Sequence, residues 1–198
     1  MNTKTVSEVA FEEFCRANGI AHHKINEGHD PTPDYQMTIN SVTVFVEVKQ
    51  IDTDENFGTL RSRSPGTHIR AKINQARNQV RASCEAGYPT ILLVYNNLHR
   101  RQLFGTEPLD FRAAMYGDLT KFVSRTRGTI SGVFYDRNSS FREGKNDTFS
   151  AVGWLYRRPA DVFIYLYENA YAKVSINYDA LPPCIQFERC VVEYASEI

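Results

Sequence analysis

The sequence predicts an α/β fold whose elements run α, β, β, β, α, β and are followed by further strands. Three observations carry this. Apolar residues recur at helical spacing in two stretches, two runs alternate in period two around Asn40-Ser41, and residues 90–95 form one short, continuously apolar run. The 198 residues are 42% hydrophobic and 23% charged, close to globular averages, which excludes disordered, collagen-like and coiled-coil chains. A single domain is expected from the usual ~100–200 residues per domain, with a core over 5–96 and a C-terminal extension over 97–198.

Val6, Ala10, Phe14 and Ala17 share one helical face, and Asn18-Gly19 stops the helix, so the first element is a helix over 6–17. Thr5 and Glu8 have capping-box spacing at its start. A strand follows at 20–25. The runs 34–39 and 42–50 alternate on either side of Asn40-Ser41 and read as a hairpin. After a polar loop containing Gly58, Pro65 and Gly66, the stripe Ile69, Ile73, Ala76, Val80 and Cys84 predicts one long helix over 67–86. Residues 90–95 then form a strand of the kind buried at a sheet centre. Beyond Asn97 the pattern gives helices at 109–116 and 119–124, a polar loop at 139–150, and strands at 151–156, 162–167 and 185–194.

The net charge of zero hides a division along the chain. Residues 1–60 carry four Lys/Arg against ten Asp/Glu, a net of −6, whereas 61–101 carry eight against Glu85 alone, a net of +7. An acidic cluster beside a basic strip suits a metal-dependent enzyme acting on a polyanion, or two segments that neutralise each other on folding. No run reaches the ~20 apolar residues of a bilayer span, and residues 1–10 lack a signal-peptide core, so a cytoplasmic, intracellular protein without a membrane partner is expected. Cys15, Cys84, Cys184 and Cys190 show no zinc spacing and are expected as reduced core thiols. His22, His23, His29, His68 and His99 likewise show no ligand spacing.

With Asn40 and Ser41 as a two-residue turn, residues paired across the hairpin have numbers summing to 81. Asp34 then lies opposite Glu47, Gln36 opposite Phe45 and Thr38 opposite Thr43. Tyr35, Met37 and Ile39 oppose Val46, Val44 and Val42 on a wholly apolar second face, and a one-residue slip would destroy that separation. Opposed carboxylates repel at the ~4.5–5.5 Å Cβ separation of such pairs. A hard divalent cation bound through one or two carboxylates would relieve the repulsion. Lys49, two residues after Glu47, points to the same face.

Pro33-Asp34 followed by Glu47-Val48-Lys49 on a hairpin within an αβββαβ order resembles the PD-(D/E)XK nuclease superfamily, over residues 5–96. The resemblance implies a restriction-endonuclease-like core with a mixed central sheet and metal-dependent cleavage of nucleic-acid phosphodiesters. It implies Asp34, Glu47 and the Val48 carbonyl as ligands of Mg²⁺ or Mn²⁺, and Lys49 as the group that orients or activates the water. It further implies an acidic residue from the first helix, for which Glu8 is favoured over Glu12, and a polar residue from the second, for which Gln79 resembles the glutamine that many members place near the catalytic lysine. Arg61, Arg63, Arg70, Lys72, Arg77 and Arg81 are candidates for contacts to phosphates, with a solvated helix face as the alternative for those on the helix. The expected function is thus a Mg²⁺-dependent nuclease with DNA as the preferred partner over RNA, a homodimer being left open. The alternative is a catalytically silent module of the same fold that binds nucleic acid or a protein partner.

Overall fold

The computed structural model describes residues 4–26, 28–52, 64–98, 105–123, 126, 128, 130–135 and 138–190. Helix α1 (Val6–Ala17) leads into β1 (His22–Lys24), β2 (Tyr35–Ile39) and β3 (Val42–Ile51). Helices α2 (Thr67–Ala76) and α3 (Arg81–Glu85) precede β4 (Thr90–Asn96), and α4 (Pro108–Tyr116) precedes β5 (Leu119–Val123) and β6 (Ile130–Tyr135). Strands β7 (Ala151–Arg157), β8 (Val162–Glu168) and β9 (Ile185–Glu188) complete the described chain. Seven strands form one sheet in the order β1-β2-β3-β4-β7-β8-β9, and β5 and β6 form a separate hairpin. The sheet is mixed: β3, β4 and β7 are mutually parallel, as are β8 and β9, while β1/β2, β2/β3 and β7/β8 are antiparallel.

Thr5 caps α1 as expected: its Oγ1 accepts the Glu8 N–H at 3.2 Å while Glu8 Oε2 accepts the Thr5 N–H at 2.6 Å. This satisfies two of the N–H groups that every helix start leaves without intrahelical partners. The buried face of α1 carries Phe11 and Phe14 onto Tyr35, Met37, Val44, Val46 and Val48. Full burial contributes roughly 1.5–3 kcal/mol per aromatic or large aliphatic side chain, and Phe11 meets Tyr35 at a ring separation of 4.7 Å. Helices α2 and α4 cover the opposite sheet face, where Ile69, Ile73 and Phe111 pack with Ile51, Leu92, Val94 and Tyr167. Strand β4 supplies Ile91 and Leu93 to one layer and Leu92 and Val94 to the other, the reason its sequence is apolar without alternation.

The observed hairpin register is the predicted one, from Ile39↔Val42 at the turn to Tyr35↔Val46. Asn40 and Ser41 both have positive φ, 46° and 67°, as a two-residue turn of this hand requires. The long helix expected over 67–86 is instead two helices separated at 77–80, where the Gln79 N–H donates to Ala76 O rather than one residue further back. Helical patterning alone does not reveal such a tightened turn, because the apolar stripe continues through Val80 and Cys84, both buried. Of the stretch expected as a helix over 119–124, Leu119–Val123 is strand β5, paired with β6, which periodicity did not detect, and residue 124 lies outside those described. The last strand ends at Glu188; its expected continuation to 194 includes residues outside those described. Cys15 and Cys84 are buried free thiols as expected, whereas Cys184 and Cys190 are only half-buried. Among the described residues no helix is long and apolar enough to cross a membrane.

The C-terminal extension continues the core sheet: β7 pairs directly with β4, and α4 braces the start of α2. The Gly66 N–H donates to Asp110 Oδ1 at 2.8 Å, and Arg112 binds Glu188 of β9 through two hydrogen bonds of 2.8 and 2.6 Å. Gly66 has φ +78°, and an added Cβ would lie 2.7 Å from Ala114 N and 2.9 Å from Asp110 O. Gly66→Ala is therefore expected to cost about 2–4 kcal/mol in urea denaturation. Gly87→Ala is expected to cost only about 1 kcal/mol, since Gly87 shares the positive φ but has nothing within 4 Å of its Cβ position. Equal losses would contradict the close approach of α2 to α4.

Candidate functional site

Glu47 and Lys49 project from β3 on the face covered by α2, two residues apart and hence on the same side as Ile51. The β2–β3 ladder ends at Tyr35↔Val46. Pro33 has no N–H with which to extend it. The Val48 N–H, which points to the β2 edge as Val46 does, is taken up by the Asp34 side chain at 2.8 Å to Oδ2. The Val48 carbonyl faces that same edge. The ladder thus stops one pair short of the expected Asp34–Glu47 pair, yet Asp34 lies close enough to Glu47 to act on its charge while its side chain holds the Val48 backbone.

Glu47 is only 1% exposed, and its Oε1 pairs with Lys49 Nζ at 2.5 Å. Its Oε2 is buried without a hydrogen-bond partner, an arrangement that costs about 1–3 kcal/mol or more for a charged group. Burial first, and then the charge of Asp34, push the Glu47 carboxyl up to about 7, against the opposing effect of Lys49. Burial also raises Asp34, partly offset by its bond from Val48 and by the Lys49 charge. With the Gln79 amide oriented to satisfy its neighbours, its nitrogen donates to Gln75 O at 2.7 Å and Ala76 O at 3.0 Å, and its oxygen accepts from Lys49 Nζ at 3.2 Å. The break after α2 therefore has a local consequence: Gln79 satisfies carbonyls at the helix end and simultaneously holds the lysine.

Glu8 does not complete a three-carboxylate cluster. Its Oε2 is engaged by Thr5 and its Oε1 by the Lys24 ammonium. Although burial would raise it, these Lys24 and Thr5 bonds hold its carboxyl below the usual range. Glu8 nevertheless lies close enough to act electrostatically on Asp34. Glu12, the alternative, is likewise engaged: it faces Lys4 and Tyr35, whose hydroxyl donates to it at 3.0 Å. Among the described residues, no group of three or more His, Cys, Asp or Glu side chains is placed to hold a metal ion. The available donors are the unpartnered Glu47 Oε2, the second Asp34 oxygen and the Val48 carbonyl. These oxygens fit a hard divalent cation that completes its shell with water and substrate.

Lys72 stands beside this group: burial and the nearby Lys49 charge lower its pKa, while Asp52 opposes them. Sequence reasoning did not single out Lys24, Gln50 or Asp52. Gln50 accepts the Ser7 N–H at 3.0 Å and so ties the start of α1 to β3, and Asp52 accepts from Gln50 at 2.5 Å and from Asn97 at 3.0 Å. No local pattern could have revealed these contacts, because each partner except Gln50–Asp52 is more than forty positions away or on another strand.

The predicted phosphate contacts divide. Arg70 is a structural clamp rather than a free cation: it donates to Pro65 O, Ala113 O and Asn138 O and pairs with Asp118 at 3.1 Å, because it lies where α2 meets α4. Arg77 and Arg81 line a separate cleft that includes neither Lys49 nor Lys72. Arg61 and Arg63 lie outside the described residues. No known protein family, curated protein or solved structure matches this chain.

Proposed function

We propose that this protein is a divalent-metal-dependent nuclease that hydrolyses phosphodiester bonds, with DNA as its substrate. The observation that carries this reading is the buried Glu47, with its unpartnered oxygen, apposed to the half-buried Asp34 and set beside a lysine held from two sides. Two apposed carboxylates in a water-poor setting are unfavourable for folding and become favourable around a cation. The resemblance of Pro33-Asp34 and Glu47-Val48-Lys49 to the PD-(D/E)XK motif supports the same chemistry.

Asp34, Glu47 and the Val48 carbonyl would hold Mg²⁺ or Mn²⁺, which when bound supplies Lewis-acid polarisation of the scissile phosphate. Lys49 carries three N–H donors, of which one serves Glu47 and one Gln79. The third is available to orient the attacking water or to stabilise the developing negative charge on phosphate oxygen. Glu47 and Gln79 thus position the ammonium, and the partly exposed Lys49 side chain gives it access to substrate. Lys72 adds positive charge at the same end of β3 and would attract the polyanion.

The deciding experiment is incubation with supercoiled, linear, branched and single-stranded DNA in Mg²⁺ or Mn²⁺, with Asp34→Asn as control. Asparagine can still accept the Val48 N–H, so the hairpin end is preserved while the negative charge is lost. Metal-dependent cleavage by the wild type and its loss in Asp34→Asn are expected. Equal cleavage by both proteins would sink the assignment, as would none by either on any substrate.

A further inference from the structure

We propose that the cleft between the 77–85 segment and the 144–148 loop is a second contact surface for a phosphodiester backbone, separate from the cleavage site. The proposal rests on the nucleic-acid reading above and extends it by giving a role to the C-terminal half. The cleft has a volume of about 330 Å³, and Arg77, Arg81, Lys145 and Lys173 outnumber its two carboxylates, Glu85 and Asp147. Asp147 is already paired with Lys173 at 3.3 Å. Arg77 and Lys145, one on each wall, are exposed and have no hydrogen bond from their charged ends among the described residues. Arg81 donates to Asn78 at 3.2 Å and keeps further donors free.

The loop wall is held rigidly before any ligand arrives. The Lys173 N–H donates to Asp147 O at 2.8 Å, the Asn146 amide donates to Ser140 O at 2.8 Å, and the Thr90 hydroxyl donates to Thr148 O at 2.5 Å. Arg77 and Arg81, four positions apart, share an edge of the helical path, whereas Gln79 between them turns its amide to Lys49 on the opposite edge. The two surfaces therefore flank the same helical segment.

The composition of the cleft selects its occupant. All nine lining residues are charged or polar apart from Gly144, so a protein partner would find none of the apolar anchors that form interface cores. A phosphate backbone needs no such anchor, and guanidinium groups bind its oxygens in a fork. The contact would position nucleic acid without reading sequence.

The test is duplex-DNA binding in chelator, where cleavage is suppressed, across a salt series, for wild type, Arg77→Gln, Lys145→Gln and the double variant. Arg16→Gln, on a helix of the opposite sheet face, serves as control. Each phosphate contact contributes about 0.9 to the slope of log affinity against log salt. The double variant should bind more weakly and flatten that slope by about two, each single variant by about one, and the control not at all. Melting temperatures near wild type would show that the fold is retained. DNA binding with an unchanged slope in the double variant would overturn the cleft while leaving the nuclease reading intact. A wild type that neither binds nor cleaves DNA would overturn both.

Discussion

Lys49→Ala is expected to lower the single-turnover cleavage rate by roughly 10²–10⁴-fold, the range over which a positioned proton-transfer or charge-stabilising group acts. The change removes an ammonium held between Glu47 and Gln79. It also leaves Glu47 without its cation in a buried setting. The folded protein can accommodate this by protonating Glu47, whose carboxyl already stands near neutrality, so the fold should persist. Metal binding should persist too, but shift to higher pH because a proton must leave first. Cleavage rates, thermal melts and Mn²⁺ titrations at pH 7 and 8 check the three parts. A variant that cleaves at the wild-type rate would remove Lys49 from the mechanism.

The second large effect concerns stability without metal. The Glu47 carboxyl is raised from 4.5 to about 7 in the folded protein, so the folded state binds its proton more tightly than the unfolded state. The stability this group contributes is fully present below pH 4.5 and is lost as pH rises through 7. For a carboxyl displaced that far from its ordinary value, the loss is on the order of 3 kcal/mol. In chelator, wild type should therefore lose stability between pH 5 and 8 relative to Glu47→Gln, whose side chain does not titrate. At pH 8, Mn²⁺ should restore the wild type, by about 2.7 kcal/mol at a hundredfold excess over its dissociation constant, and leave Glu47→Gln unmoved. An equal rise in melting temperature for both proteins would place the ion elsewhere.

The hairpin shows how much of the site was legible from residue order. Alternation puts Tyr35, Met37 and Ile39 with Val44 and Val46 on the α1 side, and the two-residue turn then leaves no choice of partner up to Tyr35↔Val46, which delivers Asp34 to the neighbourhood of Glu47 and Val48. Glu8 was less legible. Its capping-box spacing and its candidacy as a ligand were both visible, but only the position of Lys24 on β1 commits its second oxygen. The basic strip was least legible: helical spacing put Arg70, Arg77 and Arg81 on one edge, yet Arg70 is consumed by α4 while Arg77 faces a loop about seventy residues away.

Residue order by itself determined the α/β class, the α1 cap, the hairpin register and with it the closeness of Asp34 to Glu47, because each depends on interactions between neighbours in sequence or across one tight turn. Tertiary structure decided where the predicted helix divides, that β5 is a strand, and that β7–β9 extend the central sheet. It also decided which arginine is a clamp and that Gln79 reaches Lys49. These outcomes depend on contacts between distant segments, which compete with local helical preference and are not encoded in the spacing of residues along either partner alone.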